Sequence, residues 1–375
     1  MKKEIYIALV DDWELRGTGQ GNVLDLQVKP MNGLMDVYEK YGIKCTFNVE
    51  TMQQLKMREF QGSFPELKMQ ADAWDAAVIS ALKRGHDVQL HIHPQWLNAY
   101  YTKEDGWKLA ENWDITKYNR TDVDCMIKKC MSYLNDLFKT NNIFHKLCAY
   151  RAGSWAFAPS DFMIDVLKEN GIVLDMSLVK GLKYDTKHVV LDYTKLEEET
   201  RPFYPVKTDA RKVSDKVEGF VCVPTFRYKP VIRWAVLGRL KEILKKRPEN
   251  AVQAVGYKST KESAGKYSEW EKCNKNPFIG FFERQLALIK PCVADLSTFR
   301  KVEMKTLIKN VLDASRKNRC KNLALIIENH TKDIKTFENI EWFVKEMQKK
   351  LGVHFITINE MVDMINNGQI DVVKK

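Results

Sequence analysis

The 375-residue sequence has no apolar run long enough to span a bilayer, which excludes an integral helical membrane protein. It has no CxxC pair. Its eight cysteines, at positions 45, 125, 130, 148, 222, 273, 292 and 320, are scattered, which argues against a disulfide framework or a cysteine-based zinc site. Free thiols in a reducing compartment fit better. No short repeat of the solenoid kind recurs, and no helix-turn-helix, zinc-finger or RNP-type pattern points to nucleic acid. Histidine is scarce, with seven in the chain. The opening MKKEIYIALVDDWE carries two lysines before apolar residues, as a secretion leader would, but Glu4 interrupts it and Asp11 and Asp12 stop it. It is read as a first β-strand, and the expected location is cytoplasmic.

What is present is an ordinary globular balance, 45% apolar and 29% charged, in a chain long enough to bury its own core. The formal net charge is +11, most of it from lysines spread along the sequence. A lysine-rich surface accounts for this. An anionic partner such as a nucleotide-sugar or an acidic membrane is the sharper reading.

One unit recurs along the chain: an amphipathic helix, a glycine or asparagine stop, then a short apolar strand. Strands are expected at 4–10, 43–49, 87–91, 146–150, 172–175, 220–224, 323–327 and 353–358. Helices are expected at 33–41, 71–84, 122–140, 160–170, 302–317 and 337–351. Alternation of this length implies a parallel sheet, as a (β/α) barrel or an open doubly wound sheet. Residues 195–298 break the rhythm. The expected division is a barrel made from 1–224 and 299–375, with a mostly helical insertion at 225–298 packed on it.

In parallel α/β folds, chemistry collects at the carboxyl ends of the strands. The polar residues there are Asp11, Asp12, Asn48, Glu50, His91, His93, Arg151, Asp175, Glu328 and His330. Three of seven histidines converging on one face point to a shared site. His91 and His93, spaced i and i+2, face the same side of an extended backbone, and Pro94 favours that conformation for His93. With one aspartate they would make a His₂Asp site with an open position, the pattern of catalytic zinc. His86, at a helix-to-strand junction, is expected to make a structural hydrogen bond. Asp11 and Asp12 are adjacent and so face opposite ways unless the strand end twists or bulges.

The stretches VDDW, GHDVQLHIHPQW, YRAGSW, the aspartate after GIVL, and NHTKD stand in the order of the five motif stations of the polysaccharide deacetylase (NodB-like) family, which the chain resembles. RPFYPVKTD followed by GFVCVPTF further resembles a branch encoded with surface-polysaccharide genes. The resemblance implies an α/β fold, a distorted seven-stranded (β/α) barrel, and metal-assisted amide hydrolysis. It implies Asp11 as general base, Arg151 orienting that base, His330 as the acid that protonates the leaving amine, and Asp175 supporting His330. It implies Asp12 and His91 as metal ligands. His93 is added as the third on geometry, because the family's second histidine lies four residues after the first, where this chain has Gln95. The family's arginine motif also continues into a proline, whereas here Ala152 and Gly153 follow. The expected cofactor is one divalent ion, zinc first, with Co²⁺, Ni²⁺ or Mn²⁺ as alternatives. Trp13, Glu14, Trp96, Trp155 and Tyr204, in or beside these stretches, are the expected substrate contacts.

The function implied is removal of an N-acetyl group from an acetamido sugar or glycan intermediate. Two alternatives stay open: hydrolysis of another C–N bond, of the cyclic imide or ureide type, and a catalytically silent glycan-binding protein. Residues 227–247, RYKPVIRWAVLGRLKEILKKR, place aliphatics on one helical face and basic residues largely elsewhere. That is the pattern of a helix packed on the barrel or lying peripherally on an anionic inner membrane face.

Overall fold

The computed structural model of the chain describes residues 3–231 and 291–375. Eight parallel strands form the main sheet: β1 (Glu4–Trp13), β2 (Thr46–Glu50), β3 (Asp87–Ile92), β4 (Ala149–Ala152), β5 (Leu174–Asp175), β6 (Val221–Cys222), β7 (Asn322–Asn329) and β8 (Val353–Ile356). Their order is β6-β5-β4-β3-β2-β1-β7, a curled path of seven, with β8 added alongside the first half of β1. Beyond β6 the chain runs on to pair with β7, at Thr225 with Ile326 and at Asp295 with Glu328. The backbone amide of Phe226 donates to Ile326 O at 2.7 Å, and Glu328 donates to Ala294 O at 3.0 Å. These bonds bring the two ends of the sheet together as a distorted barrel of seven strands.

Helices α1 (Lys29–Glu39), α2 (Thr51–Phe60), α3 (Pro65–Lys83), α4 (Arg120–Thr140), α5 (Met163–Glu169), α6 (Lys301–Lys317), α7 (Glu338–Gln348) and α8 (Ile358–Asn366) accompany the sheet. The apolar spacing predicts most of these to within a few residues. It misses α2, whose sequence TMQQLKMREF is mainly polar; Glu50 starts it, its side chain accepting from the amides of Met52 and Gln53. It also misses α8, which begins at a capping box formed by Thr357 and Glu360.

Alternation along each strand divides the core in two. Ile5, Ile7, Leu9, Phe47, Val49, Val88, Leu90, Leu325 and Ile327 belong to the larger cluster, shared with the helices. Ala8, Val10, Ala149, Leu174, Val221, Ala324 and Ile326 fill the barrel interior, joined by Ile358, Met361 and Val362 of α8. Because α8 bonds to Thr46 and Asp87 at the start of β2 and β3, it covers the amino end of the barrel. The carboxyl end stays available for polar residues.

The insertion leaves and returns at one edge, where Arg227–Tyr228 pairs antiparallel with Cys292–Val293. The helical character expected for it, and most of the membrane-facing helix expected at 227–247, fall on residues 232–290, outside the described residues. Among the described residues no helix is long and apolar enough to cross a membrane.

His86 makes the structural contacts expected of it. Its Nδ1 accepts from the Cys45 amide at 3.2 Å, and its Nε2 lies 3.2 Å from Glu39. Burial first, then the nearby Lys44 ammonium, pushes its pKa down to about 4 from 6.5, although Glu39 opposes the shift. The folded protein therefore binds fewer protons here than the unfolded chain between those values, so stability from this group is lost as pH falls through that window. Denaturant unfolding of wild type and His86→Gln should show the cost of the substitution shrinking from pH 7 to pH 4. The expected change is on the order of 2–3 kcal/mol.

Candidate metal and acid–base site

The barrel's inward parity continues past the apolar interior into the carboxyl-end mouth. On β1 and just past its end, Ala8 and Val10 are followed by Asp12 and Glu14; on β3 and just beyond it come His91 and His93; on β7 and just past it, Ala324 and Ile326 lead to Glu328 and His330. β2 adds Asn48 and Glu50, and β4 adds Arg151. All nine are buried. Their donor atoms fall into two adjacent groups.

In the first, ligand atoms of Glu14, Glu50, His91 and His93 all lie within 4.8 Å of one another. Glu14 Oε2 sits 3.2 Å from His91 Nε2 and touches His93 Nε2, while its other oxygen pairs with the Lys332 ammonium. Burial opposes ionisation of Glu14, but His93, Lys332 and hydrogen bonds from His91 and His93 outweigh it and hold its pKa well below the usual range. Glu50 Oε2 has no hydrogen-bond partner, and burial raises this carboxyl to about 8. His91 Nδ1 lies 2.9 Å from Arg151 O. Although burial works against a charged imidazole, Glu14, Asp12 and Glu50 raise the His91 pKa to about 9. Two imidazole nitrogens and two carboxylates, one with an oxygen lacking any partner, form a donor set that can hold a divalent cation.

In the second, Asp12, Glu328 and His330 are grouped in the same way. The Arg151 guanidinium, fully buried, reaches Asp12 at 3.4 Å and Glu328 at 3.1 Å. Asn48 donates to Asp12 at 2.8 Å. His330 stands between Asp295, 3.0 Å from its Nδ1, and Glu328, 3.4 Å from its Nε2, with Asp12 at 3.8 Å. Burial disfavours the His330 charge, yet Asp295 and Glu328 raise its pKa well above the ordinary value, which favours the imidazolium. Burial raises Glu328 to about 7 even beside Arg151. Burial also opposes the charge on Asp12, but Arg151, His91 and His330 prevail and keep its pKa below normal. This group is neutralised by its own arginine and histidine. In the first group Glu14 is paired with Lys332, and Glu50 Oε2 is left without a hydrogen-bond partner beside the two imidazoles.

Several expected site residues stand elsewhere, and parity is the reason. Asp11 faces the helices: it accepts from Asn329, and its charge acts on Tyr38 and Cys45, while burial raises its own pKa to about 8. Asp175 also faces outward, held by the Ser177 amide at 3.0 Å and hydroxyl at 2.6 Å. Asp295 takes the place beside His330 that Asp175 was expected to fill. Trp13 packs on Trp74 and donates to Gln27 O at 3.0 Å, so it is core. Trp96 is buried against Trp107, and Tyr204 packs against the barrel-interior residues, its amide donating to Val373 O at 3.0 Å. Trp155 does reach the site: its Nε1 donates to Glu328 at 3.0 Å, and its ring lies 6.0 Å from that of His330. Sequence reasoning missed Asp295, which lies in the irregular stretch before α6. It also missed Lys332, whose signal was its place in NHTKD.

Gly153 closes the His93 side. A Cβ there would lie 2.7 Å from the His93 ring and 2.8 Å from Ile92 O. Gly153→Ala is expected to displace the ring and weaken divalent-metal binding by roughly 10–100-fold, comparable to disturbing any group that orients a ligand. Calorimetric titration with Zn²⁺ measures it.

No protein-family model matches the chain, and no curated protein matches it in sequence. Among solved structures it is similar to a protein designated a polysaccharide deacetylase from Mycobacterium smegmatis, with a TM-score of 0.52 at 10% identity over 100% of this chain and 94% of that one. A polysaccharide deacetylase designate from Pseudomonas aeruginosa PAO1 follows at 0.48, with 10% identity over 97% and 92%. The Puue allantoinase gives 0.46, with 11% identity over 97% and 91%. The likeness that carries weight is the first, and at that identity it is one of fold. The chain has the (β/α)-barrel fold of the NodB-like polysaccharide deacetylases.

Proposed function

We propose that this protein is a metal-dependent hydrolase that removes an N-acetyl group from an acetamido sugar or glycan intermediate. The observation that carries the reading is the adjacency of a two-histidine, two-carboxylate box to an imidazolium held between two acids. In this reading His91, His93 and Glu14 hold the ion, zinc first, with Glu50 beside them. A divalent cation there would polarise the acetyl carbonyl and acidify water.

The remaining work falls to the chain itself. Asp12 belongs to the second group and is kept ionised by Arg151, His91 and His330, so it accepts the proton of the attacking water. The role that the family resemblance implies for Asp11 passes to Asp12, which faces the mouth. His330 gives its proton to the nitrogen of the departing sugar amine, which is otherwise a very poor leaving group. Glu328 and Asp295 fix the His330 ring, and Trp155 offers an aromatic face beside it for a sugar ring.

The test is acetate release from a nucleotide-linked acetamido sugar and from an acetamido oligosaccharide, using chelator-stripped and Zn²⁺-restored protein. Metal-dependent acetate with matching free amine is the expected result. Turnover of a cyclic imide or ureide without acetate would replace the substrate class, and glycan binding without turnover in zinc-loaded protein would remove the enzyme reading.

A further inference from the structure

Gln95 occupies the position where the family resemblance would place a second metal-binding histidine, yet it points at His93 rather than at the carboxylates. It is fully buried on the short turn Pro94–Trp96. Its amide nitrogen lies 2.9 Å from His93 Nδ1 and 3.5 Å from Gly17 O, while its Oε1 has no partner at all. The other histidine is built differently. His91 Nδ1 faces the carbonyl of Arg151, which only accepts, so Nδ1 carries a proton and, once the ring is neutral, Nε2 is the nitrogen left to ligate. His93 meets an amide, which can donate or accept. With the NH₂ group toward Nδ1, the neutral ring must carry its proton on Nε2, aimed at Glu14. A proton there blocks ligation through Nε2. Turning the amide by half a turn presents Oε1 to Nδ1–H, gives the stranded oxygen a partner, and leaves Nε2 bare. The imidazole lies close against Gly153, where an added Cβ would come within 2.7 Å of the ring.

We propose that Gln95 is a positioning residue that sets which nitrogen of His93 carries the proton, and that its amide turns over when a divalent cation binds. This rests on the reading of His91, His93 and Glu14 as cation ligands. Gln95 thus serves two states with one side chain: it holds the Glu14–His93 hydrogen bond without the ion and orients His93 as a ligand with it. An aliphatic residue at this position could not exchange donor for acceptor in that way.

The experiment uses the full chain stripped with chelator and titrated with Zn²⁺, in wild type, Gln95→Glu and Gln95→Leu. Affinity is read by calorimetry and tautomers by ¹⁵N-histidine NMR. Wild type should show His93 protonated at Nε2 without zinc and at Nδ1 with it. Gln95→Glu, an acceptor in both states, should hold Nδ1–H throughout and bind zinc at least as tightly. Gln95→Leu should lose roughly 10–100-fold in affinity. An unchanged His93 tautomer on zinc binding would overturn the proposal, as would wild-type affinity in Gln95→Leu or equal losses in both variants. Should Gln95→Leu fail to fold, the wild-type tautomers and Gln95→Glu still decide. Absence of zinc binding in wild type itself would instead overturn the ligand reading on which the proposal stands.

Discussion

Purified His91→Ala and His93→Ala are expected to carry no stoichiometric divalent metal, with the barrel still folded. Each substitution removes one of only two imidazole donors in the box formed with Glu14 and Glu50. Metal analysis after gel filtration, beside circular dichroism, measures both halves of this result. Glu14→Gln should lose the metal as well, but it also removes the carboxylate charge paired with the buried Lys332 ammonium, a loss on the order of 3–5 kcal/mol. The double variant Glu14→Gln/Lys332→Met removes the ammonium too and isolates the ligand effect. Asp12→Asn is the discriminating partner. It should keep the metal, because Asp12 is grouped with Glu328 and His330 rather than with the histidine pair. If Asp12→Asn lost the ion while Glu14→Gln/Lys332→Met kept it, the carboxylate ligand would be Asp12 after all.

His330→Ala should behave in the opposite way, retaining full metal while turnover falls by roughly 10²–10⁴-fold, the usual contribution of a general acid. The neighbouring Asp295 provides a finer test. Asp295 is the leading influence that raises the His330 pKa against burial. Without its charge the imidazolium loses its proton at lower pH, so the alkaline limb of the kcat/KM profile should move to lower pH in Asp295→Asn. Substrate-saturated and pre-steady-state rates of acetate release, with metal content measured on the same samples, separate these effects from loss of the ion. Near-normal turnover in His330→Ala would end its role as the acid.

The barrel was legible because its cause is local. Helix-length apolar spacing followed by a glycine or asparagine and a short apolar strand recurs in the chain, and parallel pairing follows from crossover length. α2 was not legible because its surface is mostly polar and its start depends on the Glu50 side chain. The site was legible in position and only partly in membership. Strand ends announced Asp12, His91, His93, Arg151 and His330. They did equally announce Asp11 and Asp175, which the fold turns toward the helices.

The sequence by itself determined the alternation of strands and helices, the polar carboxyl ends, and the pairing of His91 with His93 on one side of a strand. The i, i+2 relation is a property of extended backbone wherever the strand lies. Only the tertiary structure decided which parity faces the mouth. A barrel strand is buried on both faces, so Ile5, Ile7 and Leu9 against the helices look no different in the chain from Ala8 and Val10 inside the barrel. No contrast in polarity marks the inward face, and Asp11 and Asp12 were therefore indistinguishable until the strand was placed between its neighbours. Asp295 and His330, 35 residues apart, meet because the returning chain pairs with β7 at Glu328. That meeting depends on closure of the barrel, which no local pattern encodes.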